Sequence, residues 1–188
     1  NKRCTMTNAP GPGTMRIAST GSYSGPVTVG GGLLAAGTDT ALGATTAGTT
    51  VLDGGTLQIE TSPALAEPLN LRGAGRGGTN GALFLFPATG VQAAIVLSAQ
   101  AAVRNDFSFA ILSSVISGPG GLTKTGDGTL QLGGSSGAPN TYAGNTIVER
   151  GVLVPFKGTG VTTIPGHLII GTGAFNSPAT VRHFSGFT

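Results

Sequence analysis

The stretch Gly118-Pro119-Gly120-Gly121-Leu122-Thr123-Lys124-Thr125-Gly126-Asp127-Gly128-Thr129-Leu130-Gln131-Leu132 decides how the rest of the chain is read, because it holds two short alternating segments bounded by glycine turns. In residues 129–132, Leu130 and Leu132 fall on one side of an extended strand and Thr129 and Gln131 on the other, the pattern of a strand with one buried face. Residues 56–59, Thr-Leu-Gln-Ile, repeat it. The turns Asp53-Gly54-Gly55, Gly118 to Gly121 and Asp127-Gly128 supply the positive φ and tight bends that a path changing direction every few residues requires. Working outward, the same alternation predicts strands at 26–29, 50–52, 69–71, 82–86, 146–148, 151–154 and 167–170.

Composition agrees that the structure is all-β. Of 188 residues 34 are Gly, 9% are charged, 5% are aromatic and none is Trp, while 39% are apolar. A chain rich in aliphatic residues and poor in charge does not stay disordered. Helix is disfavoured because Gly costs about 1 kcal/mol per helical site relative to Ala, and 91–103 is the one window that escapes Gly and β-branched runs. The net charge of +3 comes from ten Lys and Arg scattered singly between Lys2 and Arg182, so no basic stripe exists to hold nucleic acid. Residues 90–103 are too short, and too interrupted by Gln92, Ser98 and Gln100, to span a bilayer. The opening Asn1-Lys2-Arg3 contains no signal peptide, so the expectation is a removed leader or an excerpt from a longer precursor. The lone Cys4 has no partner for an internal disulfide, follows no lipobox, and is expected to be a small packing residue.

A long internal repeat organises the chain. Tyr23, Gly25, Val29 and Gly32 recur 119 residues later as Tyr142, Gly144, Val148 and Gly151, with Leu33-Leu34 matched by Val152-Leu153. Upstream, 4–7 corresponds to 122–125 and 11–17 to 126–132, with offsets of 118 and 115. Length changes confined to turns suit coils stacked one on another, so a parallel β-solenoid is expected, with an antiparallel β-sandwich as the alternative. At about 22 residues per coil the chain makes about eight coils, a rod on the order of 40 Å long. The single domain 1–188 divides into a degenerate copy at 4–34, inter-copy coils at 35–117, a well-matched copy at 118–154 and a partial continuation at 155–188. The residues expected to carry the repeat are Tyr23, Gly25, Gly32, Gly121, Leu122, Thr123, Lys124, Gly126, Gly128, Thr129, Leu130, Leu132, Tyr142, Gly144, Gly151 and Leu153.

The block 118–132, followed by Asn140-Thr141-Tyr142-Ala143-Gly144-Asn145-Thr146 and Gly151-Val152-Leu153, resembles the autotransporter-associated β-strand repeat, whose pattern is G-x-G-x-L-T-K-x-G-x-G-T-L-x-L, then N-T-Y-x-G-x-T and G-x-L. The N-terminal copy departs from it at Cys4 and Met15, where Leu is usual. The resemblance implies a right-handed parallel β-helix and an extracellular or bacterial cell-surface location. It implies no particular activity.

Candidate chemistry is thin. Gly73-Ala74-Gly75-Arg76-Gly77-Gly78 satisfies G-x-G-x-x-G, but Thr79 to Ala82 leads into a strand where a dinucleotide site needs a helix N-terminus. Thr123-Lys124-Thr125 lacks the glycine of a phosphate loop. The seven acids, Asp39, Asp53, Glu60, Glu67, Asp106, Asp127 and Glu149, show no pairing at short spacing and are expected in turns and on the surface. His167 and His183 are too far apart in sequence to suggest a metal site. No enzyme, cofactor or metal is expected. The expected function is a structural solenoid that associates end to end with further copies, because uncapped coils expose strand edges. The alternatives are an adhesive passenger stalk that binds host or matrix glycans and, more remotely, a polysaccharide-degrading β-helix.

Overall fold

A computed structural model of the chain describes residues 6–8, 13–21, 24–60, 65–134, 137–171 and 178–182. Its strands are, in chain order, β1 Met6–Asn8, β2 Thr14–Ile17, β3 Val27–Val29, β4 Gly32–Ala36, β5 Thr49–Val51, β6 Gly55–Ile59, β7 Leu69–Gly73, β8 Leu83–Leu85, β9 Gly90–Val91, β10 Ile95–Asn105, β11 Phe109–Leu112, β12 Ile116–Ser117, β13 Leu122–Thr125, β14 Thr129–Leu132, β15 Thr146–Val148, β16 Gly151–Pro155, β17 Leu168–Ile170 and β18 Ala179–Val181. The strands expected at 129–132 and 146–148 stand at those bounds, and the others lie within two residues of the expected ones.

Every strand pair is parallel, so the sandwich of antiparallel hairpins is excluded and the fold is a parallel β-solenoid. Three faces surround the core. The first stacks β1, β3, β5, β7, the start of β10, and β12; the second stacks β2, β4, β6, β8, the end of β10, β13, β15 and β17; the third stacks β9, β11, β14, β16 and β18. The second face is eight strands deep, or about seven full turns. Paired residues on it are between 19 residues apart, as Thr14 and Leu33 are, and 26, as Leu57 and Leu83 are.

The window 91–103, the one with a helix-compatible pattern, contributes instead to β10. Its inward residues Ile95, Leu97, Ala101 and Val103 are at most 2% exposed, and the register shifts between Leu97 and Ala101. That irregularity lets a single strand leave the first face and join the second. Packing against two faces overrides local propensity here.

The core is a set of inward rows. Val29, Val51, Leu71 and Leu97 line the first face, Leu34, Leu57, Leu83 and Val103 the second, and Ala110, Leu130 and Leu153 the third, each at most 1% exposed. Burying a Val or Leu side chain contributes roughly 1.5–3 kcal/mol, so these rows are the main favourable term.

The two repeat copies keep their pairings but not their faces. In the first copy β1 pairs with β3 and β2 with β4; in the second β13 pairs with β15 and β14 with β16. The first copy lies on the first and second faces, the second copy on the second and third. A spacing of 119 residues is not a whole number of coils of about 22 residues, so the second copy enters one face later.

Where the coils bend, backbones approach too closely for a side chain. Gly151 has φ of 69° and directly follows the Glu149–Arg150 bend. A Cβ there would lie 2.5 Å from the carbonyl oxygens of Gly126 and Gly128. We expect Gly151→Ala to lose about 1–3 kcal/mol of stability in urea unfolding. Gly137→Ala, at an exposed site with no atom within 4 Å of the added carbon, should change stability by less than about 0.5 kcal/mol.

Candidate functional site

Lys124, Gly126, Gly128, Thr129 and Gly151 of the repeat residues meet at the bend between the second and third faces. Lys124 occupies an inward position of β13, in register with Val103 below and Val148 above, and its side chain is 0% exposed. An ammonium ion in an aliphatic row is costly unless fully hydrogen-bonded. It is: Nζ donates to the backbone carbonyls of Thr125 at 2.9 Å, Gly126 at 2.6 Å and Arg150 at 3.1 Å. Burial pulls its pKa down to about 8, opposed by the negative charges of Asp106 and Asp127 and reinforced by Arg150. The lysine clamps the bends of two successive coils.

One coil below, Asn105 closes the same bend. It is 0% exposed, donates from Nδ2 to the carbonyl of Thr129 at 3.1 Å and accepts the amide of Phe107 on Oδ1 at 2.7 Å. Gly128 fits because a Cβ would strike the Phe107 carbonyl. Asp127 and Arg150 form an ion pair outside the bend.

A second constellation fills the first face where the chain forms no strand. Asn140 donates its backbone amide to the carbonyl of Thr162 at 2.9 Å, and its side chain extends the ladder in both directions. Oδ1 accepts from the Ile116 amide of the coil below at 3.0 Å, and Nδ2 donates to the Thr163 carbonyl of the coil above at 2.7 Å. The side-chain amide thus substitutes for a peptide group. Tyr142, 1% exposed, hydrogen-bonds Thr146 Oγ1 at 2.5 Å, and burial raises its pKa. Gly144 donates to the Gly120 carbonyl, and a Cβ on it would meet the Gly121 nitrogen at 2.6 Å.

Leu122, Leu130, Leu132 and Leu153 are core residues at 0% exposure. Thr129 is half-buried at the start of β14 and contributes its carbonyl to Asn105. Gly126 has φ of 80°, and Thr123 faces outward beside Lys124. In the first copy Gly32, with φ of 66°, matches Gly151, and Gly25 is buried. Tyr23 and Cys4 lie outside the described residues, as does His183.

Sequence reading missed two buried charges. Glu67 is 2% exposed, where a surface or turn role was expected; burial raises its pKa, Thr49 Oγ1 donates to it at 3.2 Å, and Oε2 has no hydrogen bond among the described residues. Lys157, 7% exposed, donates to the Ala138 carbonyl at 2.9 Å, and burial lowers its pKa. No spacing marks either one.

The remaining candidates are dispersed. Glu60 pairs with Arg16, Asp53 with Arg72 and Asp106 with Arg104, so these carboxylates hold arginines. The glycines 73–78 contain only the 3-10 turn Arg76–Gly78, with no α-helix N-terminus for a pyrophosphate. Among the described residues no three His, Cys, Asp or Glu gather as metal ligands, and no helix is long and apolar enough to cross a membrane.

A stack of parallel coils with polar clamps between them defines a parallel β-solenoid. Residues 11–36 and 122–154 match the passenger-associated-transport-repeat family. The chain is 37% identical over 111 residues to a protein described as adhesin BmaC autotransporter, from Brucella suis biovar 1 (strain 1330); the match covers 54% of this chain and 3% of that protein. It is 55% identical over 49 residues to a protein described as extracellular serine protease, from Serratia marcescens, covering 26% of this chain and 4% of that protein. The chain therefore spans only a few per cent of the length of these relatives. No solved structure matches it. The chain thus carries two segments similar to the passenger-associated transport repeat, and these likenesses place it outside the cell or at the bacterial surface.

The clamp generates a prediction. Lys124→Met keeps the bulk but leaves three carbonyls without their donor, so stability at pH 7 should fall by about 1–3 kcal/mol. Because the folded-state pKa lies below the ordinary 10.5, the unfolded chain holds more protons between about pH 8 and 10.5. The Lys124 contribution therefore rises with pH across that window and is constant below it. Urea unfolding of both proteins from pH 7 to 10.5 should show the gap widening.

Proposed function

We propose that the chain is a structural, non-catalytic stalk segment of a bacterial surface passenger, a spacer whose coils set reach and rigidity. The observation that carries this reading is the second face, which keeps parallel pairing through eight strands. The buried polar side chains Lys124, Asn105 and Asn140 all bind backbone, each of them between coils. A side chain committed to backbone is not available for turnover. Kinship with a protein described as an adhesin supports the reading. In small-angle scattering the chain should behave as a rod, and it should release no products from casein, polygalacturonate or chitin. Turnover that disappears on unfolding the chain would overturn the non-catalytic assignment.

A second reading, end-to-end association of copies, is favoured by β17. It pairs with β15 on one edge, and Leu168, Ile169 and Ile170 are 39%, 39% and 49% exposed. Such an edge accepts another parallel coil, from more of the same polypeptide or from a second copy. Association predicts a sedimentation coefficient that rises with concentration and stops rising in Ile169→Lys. A monodisperse monomer at high concentration rules it out.

A further inference from the structure

The outer surface of the second face holds a recess that the stalk reading leaves unused. Ala102, Thr123 and Thr125 point away from the core, because their neighbours Val103 and Lys124 point into it, yet they are only 8%, 7% and 8% exposed. They form the floor of a groove of about 470 Å³. The groove exists because two successive coils place small side chains outward, while the glycine-rich segment from Gly73 to Thr79 stands on one side and Glu149-Arg150 on the other.

Its polar groups are held in fixed positions. Arg104 Nη2 is 2.6 Å from Asp106 Oδ2, its Nη1 donates to Asn80 Oδ1 at 2.9 Å, and the guanidinium lies 5.0 Å over the ring of Phe84. Arg150 Nε donates to Asp127 Oδ1 at 3.0 Å. Each cation thus has its own carboxylate, which orients it and balances its charge. Gln100 Nε2 donates to Thr123 Oγ1 at 2.8 Å. The Glu149 carboxylate and the Thr125 hydroxyl also line the groove, and neither side chain is hydrogen-bonded among the described residues.

We propose that this groove binds a short neutral saccharide. Its occupant must offer donors to Glu149 and acceptors to the guanidinium and amide groups within one small area, and adjacent hydroxyls on a sugar ring do both. An anionic ligand would meet the carboxylate of Glu149 and two arginines whose charge is already balanced. The volume falls in the range of small-molecule sites, roughly 300–1,000 Å³. No aromatic ring lines the floor, so affinity is weak, on the order of millimolar. The site goes beyond the stalk reading and stands without it.

The test is titration of the isotope-labelled chain, followed by amide NMR, with cellobiose, maltose and diacetylchitobiose as neutral probes and digalacturonate as the anionic one. At least one neutral disaccharide should shift the amides of Thr123, Thr125 and Glu149 at tens of millimolar. Ala102→Leu, which fills the floor, and Glu149→Ala, which removes the acceptor, should each weaken that binding at least tenfold without lowering the melting temperature. Thr28→Ala, on the first face, should leave it unchanged. Absence of neutral binding, preference for digalacturonate, or binding that survives both groove variants overturns the proposal.

Discussion

Everything in this solenoid depends on each coil lying directly upon the one before it at the strand spacing of about 4.8 Å. At that separation the flat parts of the coil satisfy one another's backbone groups through parallel ladders. The bends cannot, because there the chain turns away from ladder geometry while its neighbours above and below remain equally close. Two solutions recur. At Gly128, Gly144 and Gly151 the side chain is omitted because a Cβ would strike a backbone atom of an adjacent coil or bend. At Lys124 and Asn105 a side chain is turned onto the backbone groups that the bend would otherwise leave unpaired, and Asn140 does the same where the first face lacks a strand.

Those buried polar groups resolve a conflict between composition and fold. A lysine in a row with Val103 and Val148 opposes burial, and the depressed pKa of Lys124 measures that opposition. Three carbonyl acceptors offset it, since a buried donor without partners would forfeit its full desolvation cost. Glu67 is the contrasting case: Thr49 donates a single hydrogen bond to it, and burial pushes its carboxyl toward the neutral form. The repeat block therefore combines coil-to-coil attachment through the backbone with outward positions that these clamps leave free. The groove over Ala102, Thr123 and Thr125 is one product of that freedom.

The fold was legible in the residues because strand alternation and glycine bends are local patterns. Leu130 and Leu132 announce their inward direction through the two-residue period alone, and the motif block carries its resemblance to a known repeat in its own residues. What was not legible lies in pairings between residues a coil apart. The role of Lys124 depends on the Arg150 carbonyl 26 residues later, and that of Asn140 on Ile116 and Thr163, 24 residues before and 23 after. Segment 91–103 became strand because two faces of the core required it. Residues 73–78, which by pattern suggested a nucleotide loop, became the wall of a groove through their place above the second face.

By itself the sequence determined the all-β character, favoured parallel stacking over a sandwich through a long repeat with variable turns, and placed half of the strands, since these follow from periodicity and turn chemistry along the chain. Only the tertiary structure decided the phase. Coil lengths between 19 and 26 residues accumulate, so a repeat 119 residues away comes round one face later. That accumulated rotation sets which outward side chains share a surface, and a surface assembled from different coils has no signature in any single stretch of sequence.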